Sequence, residues 1–236
     1  TGSEPLIANF ADNVDEDCNG HGSFCTSLIR DRKFGVCKDA NVYGVKVLDC
    51  RGSGSTSSVL RGLEYVYKLH KEKTVKEKKR VKSIINMSLG GGFSKALNKA
   101  VEQTLKDPNF YFVAAAGNEN NDCHNTSPAS AKGILSVAAS DNVDERAYFS
   151  NYGCSSLYAP GVDITGLNQF GDEYTGSGTS FSSPITVGIL NHYINMYPEY
   201  NMKQIKKLME QKASKNKIKN NPSKTPNLLA FLERVL

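Results

Sequence analysis

The segment from Ser83 to Ala116 reads SIINMSLGGGFSKALNKAVEQTLKDPNFYFVAAA, and it decides the fold that we expect. Its two ends, Ser83–Leu89 and Phe110–Ala116, are short apolar runs typical of strands buried on both faces of a parallel sheet. Between them, Ser94–Leu105 carries apolar residues at helical spacing. The order strand, helix, strand predicts two parallel strands joined by a helix.

The same alternation continues on both sides of this segment. Asn41–Leu48 (NVYGVKVL) and Ile134–Ala139 (ILSVAA) have the composition of further buried strands. Ser57–Leu69 has helical periodicity, and a long helix is expected from about Ser180 to Tyr197. The chain is therefore predicted to be an α/β protein with a doubly wound, mostly parallel sheet flanked by helices. No linker or repeat divides it, so residues 1–236 are expected to form a single domain.

Composition excludes several classes of partner. The 236 residues are 39% hydrophobic and 22% charged, which is typical of a globular domain with a sizeable core. No apolar run approaches the roughly 18 residues of a membrane span, so no membrane partner is expected. The basic stretches Lys68–Lys82 and Lys203–Lys219 lack the interleaved aromatic residues of a nucleic-acid stacking surface. We interpret them as solvated surface, with an acidic partner or a polyanion as the alternative.

The cysteines favour an oxidising compartment. Their spacing matches no zinc motif, so no metal site is predicted from it. In a domain of this size they suggest disulfides, although the sequence does not give their connectivity. A cytosolic protein with buried thiols is the alternative. The six residues are Cys18, Cys25, Cys37, Cys50, Cys123 and Cys154.

Two short segments place chemically active side chains among small residues. One is Asn19–Ser23 (NGHGS), which carries His21 at the start of an apolar helical stretch. The other is Gly178–Pro184 (GTSFSSP), which places Ser180 at the start of the last long helix. A serine there lies near free N–H groups and the positive end of the helix dipole. The pair is typical of a base and a nucleophile, although each also fits a structural histidine or a helix cap.

Two glycine-rich segments follow predicted strands, and a third segment ends a predicted strand in small residues. Ser88–Gly92 leaves backbone groups uncovered, so an extended peptide could pair with it, and Gly52–Gly54 could form the opposite wall. Ala115–Gly117 leaves space for a substrate side chain, and the Asn118 amide can donate to an oxyanion. Each segment alone also fits a tight turn.

Together these motifs resemble the subtilisin-like serine proteases, most closely their proteinase K-like branch, from about Asp17 to Leu229. The matching motifs are DCNGHG (17–22), YGVKVL (43–48), NMSLGGG (86–92), AAGN (115–118), SPAS (127–130), FSNYG (149–153), APG (159–161) and GSGTS (176–180).

The resemblance implies a role for each motif residue. Ser180 would attack the scissile carbonyl, His21 would be its general base, and Asn118 would form the oxyanion hole with the Ser180 N–H. The residues implied to hold the peptide are Gly52, Ser53, Gly54, Ser88, Leu89 and Gly90, and those implied to line the primary specificity pocket are Ala115, Ala116 and Gly117. The small residues of this pocket favour apolar substrate side chains.

The resemblance also implies how the cysteines pair. We expect disulfides Cys18–Cys50 and Cys123–Cys154, and a free, buried Cys25. Cys37 is unassigned, and a Cys25–Cys37 bridge stays open. From the disulfides and the family, we expect the protein to be secreted or to reside in the lumen of the secretory pathway.

The sequence departs from the family pattern at its start. The family's catalytic aspartate lies in an Asp-Thr/Ser-Gly motif at the end of the first core strand, upstream of the histidine. Thr1-Gly2 matches the tail of that motif, or is a cloning remnant. The aspartate is expected directly before or upstream of Thr1, so the domain is N-terminally incomplete. Asp12, Asp15 and Asp17 are not assigned to the triad.

Smaller departures lie elsewhere. Phe181-Ser182-Ser183 stands where relatives show Met-Ala-Thr or similar residues, and Phe24 replaces a common second histidine. Ser156 occupies a position where the branch has a calcium-binding aspartate, which argues against calcium there. No cofactor is required.

The predicted function is a serine endopeptidase that forms an acyl-enzyme on Ser180. Its expected partners are peptide or protein substrates and its own propeptide, which would inhibit it and assist folding in the precursor; the domain is expected to be a monomer. A catalytically impaired, protease-like peptide-binding or scaffold protein is the alternative, and an unrelated α/β domain is a third reading.

Overall fold

A computed structural model describes residues 5–78 and 80–233. The α-helices of this part of the chain are α1 His21–Arg30, α2 Thr56–Glu77, α3 Lys95–Thr104, α4 Thr179–Met196 and α5 Met202–Lys212. Its β-strands are β1 Leu6–Asn9, β2 Gly44–Lys46, β3 Ser83–Met87, β4 Gly91–Gly92, β5 Phe110–Ala115, β6 Thr126–Ser127, β7 Leu135–Ser140, β8 Leu157–Pro160, β9 Ile164–Leu167, β10 Glu173–Gly176, β11 Ser214–Lys215 and β12 Leu228–Leu229.

Six strands form the main sheet. Their order is β11-β12-β8-β7-β5-β3, and every neighbouring pair is parallel except β11 with β12. The three other sheets are two-stranded: β1 with β2, β4 with β6, and β9 with β10. The prediction of a mostly parallel α/β sheet flanked by helices is confirmed, and all four predicted strands and all four predicted helices, including the one that starts at His21, are present.

Side chains that alternate along β5 build the two halves of the core. Tyr111 and Val113 pack with residues of α4 and α5 on one face of the sheet. Phe110 and Phe112 pack with residues of α2 and α3 on the other. Because both faces are covered, β5 is buried throughout, which explains why its sequence is apolar without alternation.

The N-terminal pair β1–β2 does not belong to the main sheet. Sequence analysis did not predict β1, and β2 is only the central part of the predicted strand Asn41–Leu48. β2, α2 and β3 follow the order of a strand–helix–strand unit, yet β2 pairs with β1 and β3 pairs with β5. One edge of β2 and one edge of β3 therefore have no strand partner within the described residues.

Helix α2 is longer than its predicted span. It begins after Ser55, whose side chain accepts a hydrogen bond from the Ser58 N–H, and it ends at Glu77. Most of the basic stretch Lys68–Lys82 therefore lies on this helix. No helix in residues 5–78 and 80–233 has the length and apolar character needed to cross a bilayer.

Both expected disulfides are present. Cys18 and Cys50 join the loop before α1 to the loop after β2, and Cys123 is bonded to Cys154. Cys25 is free and buried, as expected, and Cys37 is also free. The Cys25–Cys37 bridge that the sequence left open is therefore absent from the structure.

A buried histidine connects three elements away from the motif segments. His70 on α2 is 3% exposed; its Nδ1 lies 2.9 Å from Ser83 Oγ, and its Nε2 lies 3.4 Å from Asp107 Oδ2. Lys71 Nζ lies 2.8 Å from the same carboxylate oxygen. Burial lowers the pKa of His70, although Asp107 acts in the opposite direction.

This lowered pKa predicts a loss of stability in acid. Below the unfolded-state pKa of about 6.5, the unfolded chain binds a proton that folded His70 resists. The free energy of unfolding should therefore fall with pH in this range, by at most about 1.4 kcal/mol per pH unit from this group, until the folded pKa is reached. Urea unfolding of wild type and His70→Gln between pH 7 and pH 5, a range set by that unfolded pKa of about 6.5, measures the difference in slope. Equal slopes for wild type and His70→Gln would contradict the prediction.

Candidate active site

His21 is the first residue of α1, and Asp17 holds the start of that helix. Gly20, just before it, has φ +94°, a left-handed conformation that suits glycine, and it has no side chain that could cap the helix. Asp17 replaces the cap: it accepts hydrogen bonds from the N–H groups of Gly20 and Ser23 and from Ser23 Oγ, each 2.7 Å long. Burial acts to raise the pKa of Asp17, but these hydrogen bonds outweigh it and the pKa is lowered. Asp17 therefore positions His21 without a hydrogen bond to its imidazole.

The carbonyl oxygen of Ser88 brings the two predicted catalytic side chains together. His21 Nε2 lies 2.8 Å from this oxygen, and Ser180 Oγ donates a 3.2 Å hydrogen bond to it. His21 and Ser180 make no hydrogen bond to each other in this arrangement. A turn of the imidazole from the carbonyl toward Ser180 Oγ is needed before a proton can pass between them.

A chain of polar side chains ties the end of β3 to the start of α4. Ser183 Oγ donates to Asn86 Oδ1 at 2.7 Å, and Asn86 Nδ2 donates to Ser88 Oγ at 3.0 Å. Ser88 Oγ in turn donates to the Ser180 carbonyl at 2.6 Å. Sequence reasoning assigned no role to Asn86 or Ser183. Asn86 is a polar residue inside the otherwise apolar run SIINM, and this contrast is the signal that could have identified it.

Cys25 lies beneath His21, one helical turn along α1. Its Sγ is 3.9 Å from His21 Nε2 and 3.5 Å from the Ser180 carbonyl oxygen. The hydrogen bond and charge interaction with Cys25, with help from the Ser88 carbonyl, raise the pKa of His21 to about 9 despite burial. A pKa raised in this direction favours the protonated imidazole.

Asn118 is held so that its amide can donate into the site. Its Oδ1 accepts hydrogen bonds from the N–H and the Oγ1 of Thr179, at 2.9 and 2.8 Å. Thr179 Oγ1 also accepts from the Gly117 N–H at 3.1 Å. With its oxygen occupied, Asn118 has both Nδ2 hydrogens available next to the first turn of α4, whose own N–H groups lack intrahelical partners.

A cavity of about 290 Å³ opens beside Ser180. It lies between the glycine-rich segment after β3 and the end of β5. The lining residues are Leu89, Gly90, Gly91, Gly92, Ala115, Ala116, Gly117, Asn118, Glu119, Thr126, Thr179 and Ser180. Sequence reasoning did not name Glu119, Thr126 or Thr179 as part of this site.

The segment Gly52–Gly54 does not line that cavity. Ser53 and Gly54 border a separate concavity at the start of α2. This loop is nevertheless connected to the loop of His21, because Asn19 Nδ2 donates to the Cys50 carbonyl at 3.2 Å and Cys18 is bonded to Cys50.

No carboxylate of the described residues forms a hydrogen bond or ion pair with His21. The position predicted for the missing aspartate, next to Thr1, lies outside the described residues. Within them, one set of side chains is close enough to hold a metal ion, namely Asp12, Cys18 and Cys50. The two cysteines are joined in a disulfide and Asp12 pairs with Lys46, 2.8 Å away. These atoms are already engaged, so the set does not suit a metal.

Comparison with known proteins gives a consistent result. The family model described as the subtilase family matches residues 8–228. The chain is 44% identical over 231 residues to the subtilisin-like serine protease Pen ch 18 of Penicillium rubens, covering 92% of this chain and 47% of that protein. It is 42% identical over 238 residues to alkaline protease 2 of Aspergillus fumigatus, covering 93% and 48%. The chain thus spans about half the length of these relatives.

A solved structure agrees in fold. A cold-adapted subtilisin-like serine proteinase superposes with a TM-score of 0.87 at 35% sequence identity, covering 98% of this chain and 82% of that one. With the family model matching most of the sequence, the chain belongs to the subtilase family.

Proposed function

We propose that the protein is a serine endopeptidase that hydrolyses peptide bonds through an acyl-enzyme on Ser180. One observation carries the proposal: residues 159 positions apart in sequence, His21 and Ser180, meet at the Ser88 carbonyl beside a cavity that Asn118 also lines. A base, a nucleophile and an oxyanion donor around one cavity are the parts that acyl transfer requires.

The geometry suits the following sequence of steps. An extended substrate lies along Ser88–Gly90, whose backbone groups pair with it as with an added strand. His21 takes the proton of Ser180 Oγ as that oxygen attacks the scissile carbonyl. The Asn118 amide and the Ser180 N–H donate to the oxygen that becomes negative. His21 then protonates the leaving amine, and a water molecule hydrolyses the ester by the same route.

The third triad member is proposed to lie on a strand that pairs with the open edges of β2 and β3. Helix α2 packs over the end of β2 and over β3, since its Val59 and Leu63 share a cluster with Val47, the residue after β2, and with Met87 of β3. Ser83–Asn86 are only half-buried although β5 beside them is fully buried. A strand ending in aspartate immediately before Thr1 would cover this edge and give the His21 imidazole its carboxylate.

The alternative is a protease-like protein that binds peptides without turnover. The contact of His21 with Ser88 instead of Ser180, and the lack of a carboxylate partner in the described residues, favour it. In subtilisin, loss of the aspartate alone lowers kcat by about 3 × 10⁴. The two readings therefore differ mainly in whether that carboxylate is supplied.

Wider properties belong to the same proposal. Two disulfides suit an oxidising compartment, so the protein is proposed to be secreted or to act in the secretory-pathway lumen. Its substrates are peptides or proteins, and residues 1–236 belong to one monomeric peptidase domain that also includes the strand proposed above. Since the matched relatives are about twice as long as the chain, a propeptide that inhibits the protease and assists folding is proposed as well.

The nucleophile can be tested with a fluorophosphonate probe, which reacts with activated serines. The full-length protein should be labelled at Ser180, as shown by mass spectrometry of its peptides. Ser180→Ala should abolish labelling, while Ser177→Ala, at an exposed serine of the same motif, should not. A folded wild-type sample that stays unlabelled would favour the peptide-binding alternative.

The oxyanion role predicts a specific kinetic change in Asn118→Ala. Because Asn118 would donate to charge that exists only in the transition state, kcat should fall while KM changes little. The expected scale is the roughly 10²- to 10³-fold loss known for such a donor in subtilisin. Asn121→Ala, at an exposed amide outside the cavity lining, should retain activity, and a loss confined to KM would contradict the assignment.

The raised pKa of His21 predicts activity that increases toward alkaline pH. The base form dominates only above a pKa of about 9, so kcat/KM should rise with pH up to that region. Cys25→Ala removes the main cause of the raised pKa, and the acid limb of the profile should move to lower pH. Cys37→Ala, which removes the other free thiol, should leave the limb in place. Identical limbs in wild type and Cys25→Ala would show that the thiol does not control His21.

A further inference from the structure

The disulfide between Cys18 and Cys50 joins two loops of the site. Cys18 lies in the loop that leads to His21, and Cys50 directly precedes the loop that contains Gly52–Gly54. A hydrogen bond of 3.2 Å from Asn19 Nδ2 to the Cys50 carbonyl is a second link between these loops. The state of the disulfide therefore bears on the loop that positions the proposed base.

A lysine lies against one sulfur of this bond. Lys46, the last residue of β2, has its Nζ 3.3 Å from Cys18 Sγ. The Lys46 side chain is only 8% exposed, and its Nζ donates to the Val14 carbonyl at 2.7 Å and pairs with Asp12 Oδ1 at 2.8 Å. These contacts keep the ammonium group beside the sulfur.

Asp12 gives the other sulfur the opposite surroundings. Its Oδ2 lies 3.6 Å from Cys50 Sγ, while its Oδ1 contacts Lys46. The hydrogen bond with Lys46 holds the pKa of Asp12 below its usual value, so the carboxylate carries its charge at neutral pH. A nearby cation stabilises a thiolate and a nearby anion destabilises it. Cys18 is therefore the better leaving group of the two.

The second disulfide, between Cys123 and Cys154, has no such asymmetry. The Cys154 N–H donates to Cys123 Sγ at 3.0 Å, and Cys154 Sγ lies 3.4 Å from the Ala129 carbonyl oxygen and 3.7 Å from Ser136 Oγ. None of these groups carries a charge, and Cys123 is 0% exposed. This bond is an internal control for the first one.

A thiol in solution can reach the bond between Cys18 and Cys50. Both cysteines are partly exposed, and residues 51–57 after Cys50 are exposed throughout. Thiol exchange requires access to one sulfur and a partner sulfur that leaves as a thiolate, and it is faster when the leaving thiol has a lower pKa. Cys50 offers the access and Cys18 the leaving group.

We propose that Cys50 is a modification site for low-molecular-weight thiols, at which formation of a mixed disulfide releases Cys18 as a thiolate beside Lys46. The attacking thiolate forms a bond to Cys50 Sγ, the bond between the two cysteines breaks, and its electron pair stays on Cys18 Sγ. A second thiol molecule then attacks the mixed disulfide, which leaves Cys50 reduced and forms the disulfide of the small thiol. The co-reactant is a thiol of the glutathione class.

The consequence for the site rests on the proposed function. With the disulfide open, the direct link between the two loops is the hydrogen bond from Asn19 to the Cys50 carbonyl. The loop of His21 is then held less firmly against the loop that precedes α2. Modification of Cys50 should therefore lower kcat/KM for peptides, and closure of the disulfide should restore it.

Peptide mapping locates the exchange. Full-length Ser180→Ala protein, used to prevent self-digestion, is incubated with reduced glutathione and then quenched with N-ethylmaleimide. Mass spectrometry should find glutathione on Cys50 and maleimide on Cys18, while Cys123 and Cys154 stay bonded to each other. Glutathione on Cys18 instead of Cys50, or equal opening of both disulfides, would overturn the inference. This readout requires no hydrolysis, so it is independent of the proposed function.

Two charge variants separate the electrostatic cause from a loosened loop. Lys46→Met should slow the opening about three- to tenfold, because loss of the ammonium raises the pKa of the leaving thiol. Asp12→Asn removes the negative charge and keeps Lys46, so it should not slow the opening. Both variants lose the same ion pair, and a loop that merely loosens would open faster in both. Faster opening in Lys46→Met would thus contradict the inference, and Lys68→Met, at an exposed lysine of α2, should match the wild-type rate.

Activity measurements test the consequence separately. Wild-type full-length protein treated with glutathione should lose kcat/KM at the rate at which Cys50 is modified, and oxidised glutathione should restore it. Lys46→Met should lose activity more slowly by the factor measured for disulfide opening. Unchanged kcat/KM in protein modified at Cys50 would overturn the effect on the site. Modification of Cys50 in a protein that never cleaves peptides would support the exchange site and count against the proposed function alone.

Discussion

The hydrogen bonds that join the end of β3 to the start of α4 are the constraint on which the site depends. Through Ser88, the segment directly after the strand contacts both the Ser180 carbonyl and the His21 imidazole. The nucleophile, the base and the segment that would hold a peptide are therefore all positioned by contacts with Ser88. The contact is possible because β3 belongs to a parallel sheet, in which chain segments that follow strands gather at one edge. The buried helix α4 starts at that same edge, where the Thr179 N–H donates to Asn118 Oδ1 and the Ser180 carbonyl accepts from Ser88 Oγ.

Much of this arrangement could be predicted from local sequence patterns. The apolar run at Phe110–Ala116 requires both faces to be covered, and it is buried as expected. The signature segments gave His21, Ser180 and Asn118 because small residues and helix starts have recognisable composition. What could not be predicted are contacts that depend on tertiary packing. Asn86 links β3 to α4 through Ser183, yet the residues next to Asn86 in the sequence do not indicate this partner.

Two residues that depart from the family motifs pack against each other. Phe181 follows the nucleophile and Phe24 lies one turn after His21, and both differ from the common family pattern. Their rings pack with centroids 4.5 Å apart, in a cluster with Cys25 and Leu28. Taken singly, each phenylalanine is a large side chain at a position next to a catalytic residue. As a contacting pair they fill one volume between α1 and α4, so neither requires a rearrangement of the nucleophile.

Polar side chains outside the recognised roles, the half-buried Asp17 and the buried Asn151, position the groups of the site. Asp17 accepts hydrogen bonds from N–H groups at the start of α1. It therefore fixes the position of His21 without a hydrogen bond to the imidazole ring. Asn151 does the same for the cavity wall, and it leaves one oxygen of Glu119 free. The residues that hold the side chains of the site in position are thus different from the residues that carry its charge. On the proposed function, the carboxylate for His21 is supplied by a strand that pairs with the open edges of β2 and β3.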